Sequence, residues 1–544
     1  MAIYTEKQPK PVIAIIFLVL AFLMMFSLRQ IGDRELYWNE GAHAVISQAI
    51  SLEYPVSEIH GEASLDEYPL FHLLVSGLIK SGVPVEYALR MISIIALAGL
   101  TVLTGIAAYR QHGQVAGVVA AAVMMSCNII MEKSLEGYPY NLTLLFLLSG
   151  WLIWFYFGAG SGSWNKAWFF AFLFCGLGFY TCGLKAVIFF ILPLVFMRRP
   201  LTIWSKLRRK GLLFGLLALL FFVFIWLIPI YVLKIPIRPL DVDFSWGKYM
   251  EHLRDFPVGV VMRLLPWSIF IWAPFCVGLH PLDEHPIFSR FLRTIFFVLF
   301  FIIWLSPFST PRDIAMLVPP AAILTGIYYW IVVRRYGGHI FNLLIPVNWC
   351  AIICGIIVLI FFLFPVSWWS FLFSLSRGVK FRTMSEYYWP GILRGAAISI
   401  VGIVLVTKCR RGTLPLWAHI TTLSCLGMMF FWAVIHPYRA QENSTRQLGA
   451  KIKQVLAGKP DSGIVYKYNI IGLYGAMYYA DCKVRKIRSL DQLPKDKSNL
   501  YIISAGTPQV MKLRLDWEPL LILDENVNKI FLWQGRKVHD SPQK

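Results

Sequence analysis

Long apolar runs constrain this chain more than any other feature. Near 11–28, 86–108, 114–131, 141–158, 167–181, 183–197, 211–233, 264–280, 291–307, 313–333, 343–365, 391–407 and 415–435 the sequence reaches or approaches the roughly 17–25 residues a helix needs to cross a bilayer. The fifth and sixth of these runs are divided only by the Tyr180–Leu184 region. With 57% of the residues hydrophobic and 15% aromatic, such a chain is expected to be a polytopic α-helical membrane protein of about thirteen spans.

Charge sets the expected orientation. Short cytoplasmic loops collect Lys and Arg, and alternate loops here do so: Arg198, Arg199, Lys206, Arg208, Arg209 and Lys210; Arg334 and Arg335; Lys408, Arg410 and Arg411. This places the N-terminus in the cytoplasm and the C-terminal part outside. The formal net charge of +21 is then largely a topology signal, and no nucleic-acid module stands behind it. The first span follows Lys7 and Lys10 without a small-residue cleavage site and reads as a retained signal-anchor. Of nine cysteines only Cys482 belongs to the external C-terminal part, so no disulfide framework is expected there. Paired CxxC zinc spacing and a Gly-rich phosphate loop are both missing from the sequence.

Two domains are expected: a membrane domain, 1–436, with external loops 29–85, 234–263 and 366–390, and a soluble domain, 437–544. In the second, a helix near 444–457, a strand at 463–468, a helix near 471–480, strands near 483–487 and 499–504, a helix near 508–514 and strands near 519–523 and 529–534 alternate as in a small α/β fold.

The first external loop is rich in acids: Asp33, Glu35, Glu40, Glu53, Glu58, Glu62, Asp66 and Glu67. Within it Trp38, Ala42, Val45, Ile46, Ala49 and Ile50 form one helical face, and Glu40, His43 and Ser47 another. Asn39 is the expected N-cap, which sets Glu40 in the first turn of an interfacial helix. Asp66-Glu67-Tyr68-Pro69-Leu70-Phe71-His72 opens an apolar stretch ending at Lys80, too short to span, and Asp66 with Glu67 is a candidate pair of ligands for a divalent cation. Glu136, followed by Gly137 and Pro139, stands where a helix breaks. Lys185 lies beside Thr181-Cys182-Gly183, at a depth where an unpaired ammonium is expensive. Lys248, Arg254 and Arg263 fall on an amphipathic segment, Arg312 on the turn Ser309-Thr310-Pro311-Arg312-Asp313, and Arg377, Lys380 and Arg382 among aromatics on a side where basic residues are scarce. Such groups suit an anionic lipid head group; an interfacial Trp and Lys/Arg anchor is the other reading.

In this order the pieces resemble the bacterial lipid-phosphate-dependent glycosyltransferases of the GT-C fold, in particular the group containing the aminoarabinose transferase of lipid A and the protein O-mannosyltransferases. Asn39-Glu40-Gly41-Ala42-His43 occupies the place of that family's acidic pair, and Asp66-Glu67-Tyr68-Pro69-Leu70 the place of its Glu-Lys-Pro-Pro-Leu. Glu136 matches its second acid, Thr181-Cys182-Gly183 its Thr-Lys-Gly, Pro266-Trp267 its Pro-Trp, and Arg312 with Pro319-Pro320 its basic residue ahead of a Pro-Pro segment. The departures are Asn39 for the leading Asp, Glu67 for one lysine and Cys182 for another, with Lys185 close behind.

The resemblance implies an inverting transferase. It would move a sugar from a polyprenyl-phosphate donor to a lipid, glycan or protein acceptor on the outer face of the inner membrane, as in lipid A modification of the cell envelope. Glu40 would accept or orient the acceptor proton, with Glu136 as its partner and Asn39 and His43 beside them. Lys185, Arg312, Arg263, Arg254, Arg377, Lys380 and Arg382 are the expected phosphate-binding groups. A transporter or flippase of a lipid-linked sugar is the rival class. It would place polar groups at the midplane on broken helices with an inverted repeat, whereas the acids here gather on one face. A catalytically decayed scaffold is the third reading, suggested by Asn39 and Cys182.

Overall fold

The computed structural model describes residues 8–26, 35–36, 39–60, 62–63, 67–134, 136–197, 208–234, 245–363, 389–410, 414–431, 445–468, 472–487, 492–494, 499–505, 515–525 and 528–537. Asp66, Arg377, Lys380, Arg382 and the helix expected near 508–514 lie outside these residues.

Helix α1, Pro11–Met25, begins with Pro11 at its first position, where a missing N–H breaks no helical bond. The first loop then forms α2, Glu40–Ala49, a two-residue hairpin of β1, Glu58–Ile59, and β2, Glu62–Ala63, and α3, Pro69–Lys80. Next comes α4, Val85–Ser126, which turns back on itself at His112 and Gly113. Gly113 has a φ of +74°, open to glycine and strained for other residues. The two halves of α4 pack closely, since a Cβ on Gly117 would come within 2.9 Å of the Gly105 carbonyl.

The membrane domain continues through α5, Asn128–Lys133, α6, Tyr140–Phe155, α7, Trp164–Cys182, α8, Leu184–Phe196, α9, Lys210–Val232, α10, Trp246–Arg263, α11, Ser268–Ile271, α12, Pro286–Leu305, α13, Val318–Leu363, α14, Trp389–Arg410, and α15, Leu416–Phe430. Among the described residues five helices are long and apolar enough to cross a membrane, or six if α10 and Ser268–Phe275, bent by 107°, make one span. Helices α1, α8 and α15 are shorter apolar helices. Among the described residues the thirteen expected spans do not each appear as a separate helix. Helix α4 carries two of them, and α13 runs unbroken through residues expected as two. The expected span 264–280 is a run of short turns, because Pro266 and Pro274 within it each remove a backbone donor and clash with a continuing helix.

At the C-terminus α16, Thr445–Leu456, β3, Ile464–Tyr468, α17, Tyr474–Tyr479, β4, Lys483–Ile487, β5, Asn499–Ala505, β6, Leu515–Glu525, and β7, Asn528–Lys537, build one sheet in the order β4-β3-β5-β7-β6. Strand β3 is parallel to β4 and β5, while β7 is antiparallel to both its neighbours. The expected boundary at 436 falls in 432–444, outside the described residues.

This sheet unit sits on the first loop. A Cβ on Gly41 would lie 2.2 Å from the Gly475 nitrogen, so α2 and α17 meet backbone to backbone. The Leu36 N–H donates to Tyr479 Oη at 3.1 Å, and Tyr479 Oη donates to Glu86 at 3.1 Å. Helix α2 is therefore not the half-solvated interfacial helix its pattern predicts: Glu40, Gly41, Ala42, His43, Ala44, Ile46 and Ser47 are all buried. Asn39 precedes it without capping it. Its backbone lies in the helical region (φ −74°, ψ −8°) rather than the extended conformation of a capping residue, and its side chain makes no cap hydrogen bond.

Candidate active site

The first loop, the turn before α6, the α7–α8 junction and the turn before α13 converge at one end of the helical bundle. Three linked groups of polar side chains result.

The first is built on Glu40, which the structure buries completely. Arg90 of α4 donates to both of its oxygens, Nε to Oε1 at 3.2 Å and Nη2 to Oε2 at 3.0 Å. The Gly137 N–H donates to Oε1 at 2.7 Å. Such a two-toothed pair is a strong, directional contact, and it ties the first loop to the turn that carries Glu136 and Tyr138. The carboxylate expected at the membrane surface is thus an internal fastening. Arg90, fully buried on α4, is part of the site that sequence reasoning missed.

The second group is His43, Glu67 and His72. Glu67 Oε2 lies 3.3 Å from His43 Nδ1 and 3.4 Å from His72 Nε2, and one donor atom from each residue falls within 4.8 Å of the others. The imidazoles stack at 5.2 Å, and His72 Nδ1 is hydrogen-bonded to Ser47 Oγ at 3.0 Å. His43 Nδ1 is buried and has no hydrogen-bond partner among the described residues, its approach to Glu67 being misaligned for one. Burial alone would raise the Glu67 carboxyl, but His43 and then His72 outweigh it and hold the group well below its ordinary range. Burial also holds the His72 imidazole below 6.5, against the opposing pull of Glu67.

Two imidazoles, a carboxylate, an orphaned ring nitrogen and an outer hydroxyl orienting one imidazole fit a divalent cation of the zinc, manganese or iron type. Of the expected ligands Glu67 is in this set and Asp66 is outside the described residues. His43 is turned into it, and His72 was not expected.

The third group carries the cations. Arg312 donates to Glu136 Oε2 at 2.8 Å and lies 3.8 Å over the Tyr138 ring. Lys133 reaches Glu136 Oε1 at 3.3 Å. Lys185 donates to Asp313 Oδ2 at 2.7 Å, and the same oxygen accepts the Thr310 N–H and hydroxyl in a capping box at 2.6 and 3.1 Å. Asp313 is fully buried, and its Oδ1 has no hydrogen-bond partner among the described residues. It too was missed, although it lies in the quoted turn.

Tyr138 joins the groups, its ring meeting that of His43 edge-on at 4.8 Å. Arg263 reaches the Pro311 carbonyl at 3.3 Å and so stands at the rim. Arg254 is not brought in: it is exposed and pairs with its neighbour Asp255 at 2.8 Å. Cys182 accepts a hydrogen bond from Thr143 at 3.1 Å. The cleft lined by Lys133, Glu136, Tyr138, Tyr140 and Arg312 has a volume of only about 20 Å³, because the ion pairs fill it.

No protein-family model and no curated protein sequence matches this chain. Its structure is similar to that of ArnT from Cupriavidus metallidurans, solved in the apo state with a TM-score of 0.71 and bound to undecaprenyl phosphate with a TM-score of 0.67. Both comparisons are at 14% identity and cover 96% of this chain and 98% of that one. The chain has the fold of ArnT, the GT-C fold that its motifs resemble.

Proposed function

We propose that this protein is an inverting glycosyltransferase that takes a sugar from a polyprenyl-phosphate donor and gives it to a lipid, glycan or protein acceptor on the outer face of the inner membrane. The observation that carries this reading is the meeting of Lys185 and Arg312, from separate parts of the chain, beside Glu136 in a GT-C fold. ArnT is solved with undecaprenyl phosphate, and two partly exposed cations brought to one turn, Arg312 within it and Lys185 on its neighbour Asp313, suit such a phosphate.

The acceptor oxygen attacks the anomeric carbon as the bond from that carbon to the phosphate oxygen breaks. The phosphate departs with the bonding pair, and Lys185 and Arg312 stabilise its negative charge. Glu136 takes the acceptor proton; a phosphate acceptor needs no base. One displacement inverts the anomeric centre. In the resting arrangement both cations are held by carboxylates, so donor phosphate must draw them from Glu136 and Asp313. The exchange opens the cleft and frees Glu136 Oε2 from Arg312, leaving Oε1 with Lys133.

Glu40, whose oxygens are engaged by Arg90 and Gly137, is a positioning residue behind this turn. His43, Glu67 and His72 would hold a divalent cation, which when bound supplies positive charge near the phosphate. The sheet unit formed by α16, α17 and β3–β7 packs on α2 and is the part suited to acceptor recognition.

The test is transfer of a labelled sugar from polyprenyl phosphate by the purified full chain in detergent. Glu136→Gln should cost about 10²–10⁴ in rate if Glu136 is the base. A transporter would give no transfer with wild type or any variant.

A further inference from the structure

Both ends of α4 lie on the side of the candidate active site, Arg90 near one end bonding Glu40 and Ser126 at the other leading into α5 and the turn that carries Glu136 and Tyr138. Its turn at His112 and Gly113 is about 27 residues from the start, roughly 40 Å away at 1.5 Å per residue, and therefore at the opposite membrane face. Two cavities meet there. One, of about 850 Å³, is an apolar groove between α1 and the α4 hairpin, lined by Val19, Phe22, Val102 and Ile106 and ending at Gly113. The other, of about 830 Å³, begins at Gly113 and is lined by His112, Glu284, Trp330, Arg334 and Arg335.

Arg334 and Arg335 are exposed and lie over the rings of Trp330 and Tyr336, and neither meets a carboxylate among the described residues. His112 faces Asp283 at 3.6 Å and Glu284 at 3.9 Å, and its buried Nε2 has no well-aligned hydrogen-bond partner among the described residues.

An apolar trough that meets a polar chamber at Gly113 has the shape of one lipid molecule. The chamber also has a sign, with two guanidinium groups against the single exposed carboxylate of Glu284. We infer that these joined cavities bind an anionic phospholipid of the leaflet opposite the candidate active site, its phosphate at Arg334 and Arg335 and an acyl chain along Val19, Val102 and Ile106. An ammonium-bearing head group would bring its own positive charge against the two arginines. The site is separate from glycosyl transfer and stands whether or not that reading does.

The test uses the full chain in detergent, titrated with phosphatidylglycerol, phosphatidylethanolamine or inorganic phosphate, with bound molecules counted by native mass spectrometry. Phosphatidylglycerol should bind saturably and at least about fivefold tighter than phosphatidylethanolamine. Arg334→Ala/Arg335→Ala should weaken it about tenfold or more, and Arg334→Lys/Arg335→Lys should retain most of it. Ile106→Trp, at a lipid-facing position 46% exposed, should weaken lipid binding with an unchanged melting midpoint, so the test does not depend on the arginine variants folding. Equal binding of the two lipids, an unaffected double alanine variant, or inorganic phosphate binding as tightly as lipid would each overturn the inference.

Discussion

Replacing Glu40 by Gln separates fastening from chemistry. The variant keeps an amide oxygen for the Gly137 N–H but removes the charge opposite Arg90, itself 1% exposed. The guanidinium would keep its bond to the Glu35 carbonyl, 2.9 Å away, and lose its counter-ion. Breaking a buried pair by removing one partner costs about 3–5 kcal/mol, far above the 0.3–1 kcal/mol a carboxylate gains in an exposed first turn. Thermal unfolding in detergent should therefore show a clearly lowered midpoint for Glu40→Gln. Arg90→Gln should be similarly damaged, and the double variant Glu40→Gln/Arg90→Gln should recover part of the loss, with a coupling of about 0.5–3 kcal/mol. Turnover should follow stability, falling in the single variants and returning in the double one. A Glu40→Gln protein that melts like wild type would refute the fastening role. A double variant with restored melting and no turnover would instead return the Glu40 charge to the chemistry.

The other expectations follow from the same geometry. Lys185→Ala and Arg312→Ala should each raise the donor concentration needed for half-maximal rate, with Arg312→Lys milder, while Arg254→Ala, outside the cleft, should behave as wild type. Metal analysis of purified protein should find a bound divalent cation that is lost in His72→Ala and His43→Ala and after chelator treatment. Acid should destabilise the protein from about pH 6.5 downward: below that value unfolded His72 takes up a proton that its buried folded form resists, so the unfolded chain binds more protons and stability falls. Glu67, held well below 4.5, extends the loss to lower pH, and melting followed from pH 8 down to about pH 2 measures both. Cysteines introduced at Glu284 and Lys453, both exposed, should label from opposite membrane faces; labelling from one face would break the topology and the outer-face assignment with it.

Most of the helical framework was legible because a bilayer imposes length and apolarity on each crossing. The runs at 141–158, 167–181, 183–197 and 211–233 match α6, α7, α8 and α9 closely. Hydropathy does not register where a backbone turns. It divides α4 at the right place, where Arg110, Gln111, His112 and Gly113 interrupt the run, but it sees a span at 264–280, where apolar content is high and two prolines prevent a helix. The sheet unit was readable from alternation alone, yet its seat on α2 was not. Nothing local marks Gly41 and Gly475 as a contact between backbones, and that contact buries a face whose pattern reads as exposed.

The candidate site was half legible for a related reason. Glu136, Lys185 and Arg312 stand out because a charge beside an apolar run is costly and asks for an explanation. Their partners do not stand out. Arg90 sits on α4 one turn beyond Glu86 and reads as a snorkelling end residue, yet it is fully buried. Asp313 reads as the polar end of a turn, but its Oδ2 gathers Lys185 and Thr310 while Oδ1 stays buried without a hydrogen bond among the described residues. His72 lies five residues after Glu67, where an extended link through Tyr68 and one helical turn bring the side chains together. In each case one member of a pair was visible and the other depended on which loops meet. Inserting a residue between Gly137 and Tyr138 should therefore damage cation binding at His43 as well as donor use at Arg312, since Tyr138 touches both rings of contacts. Retention of full metal content with donor use lost would mean that the two groups are built independently, and that Tyr138 does not join them.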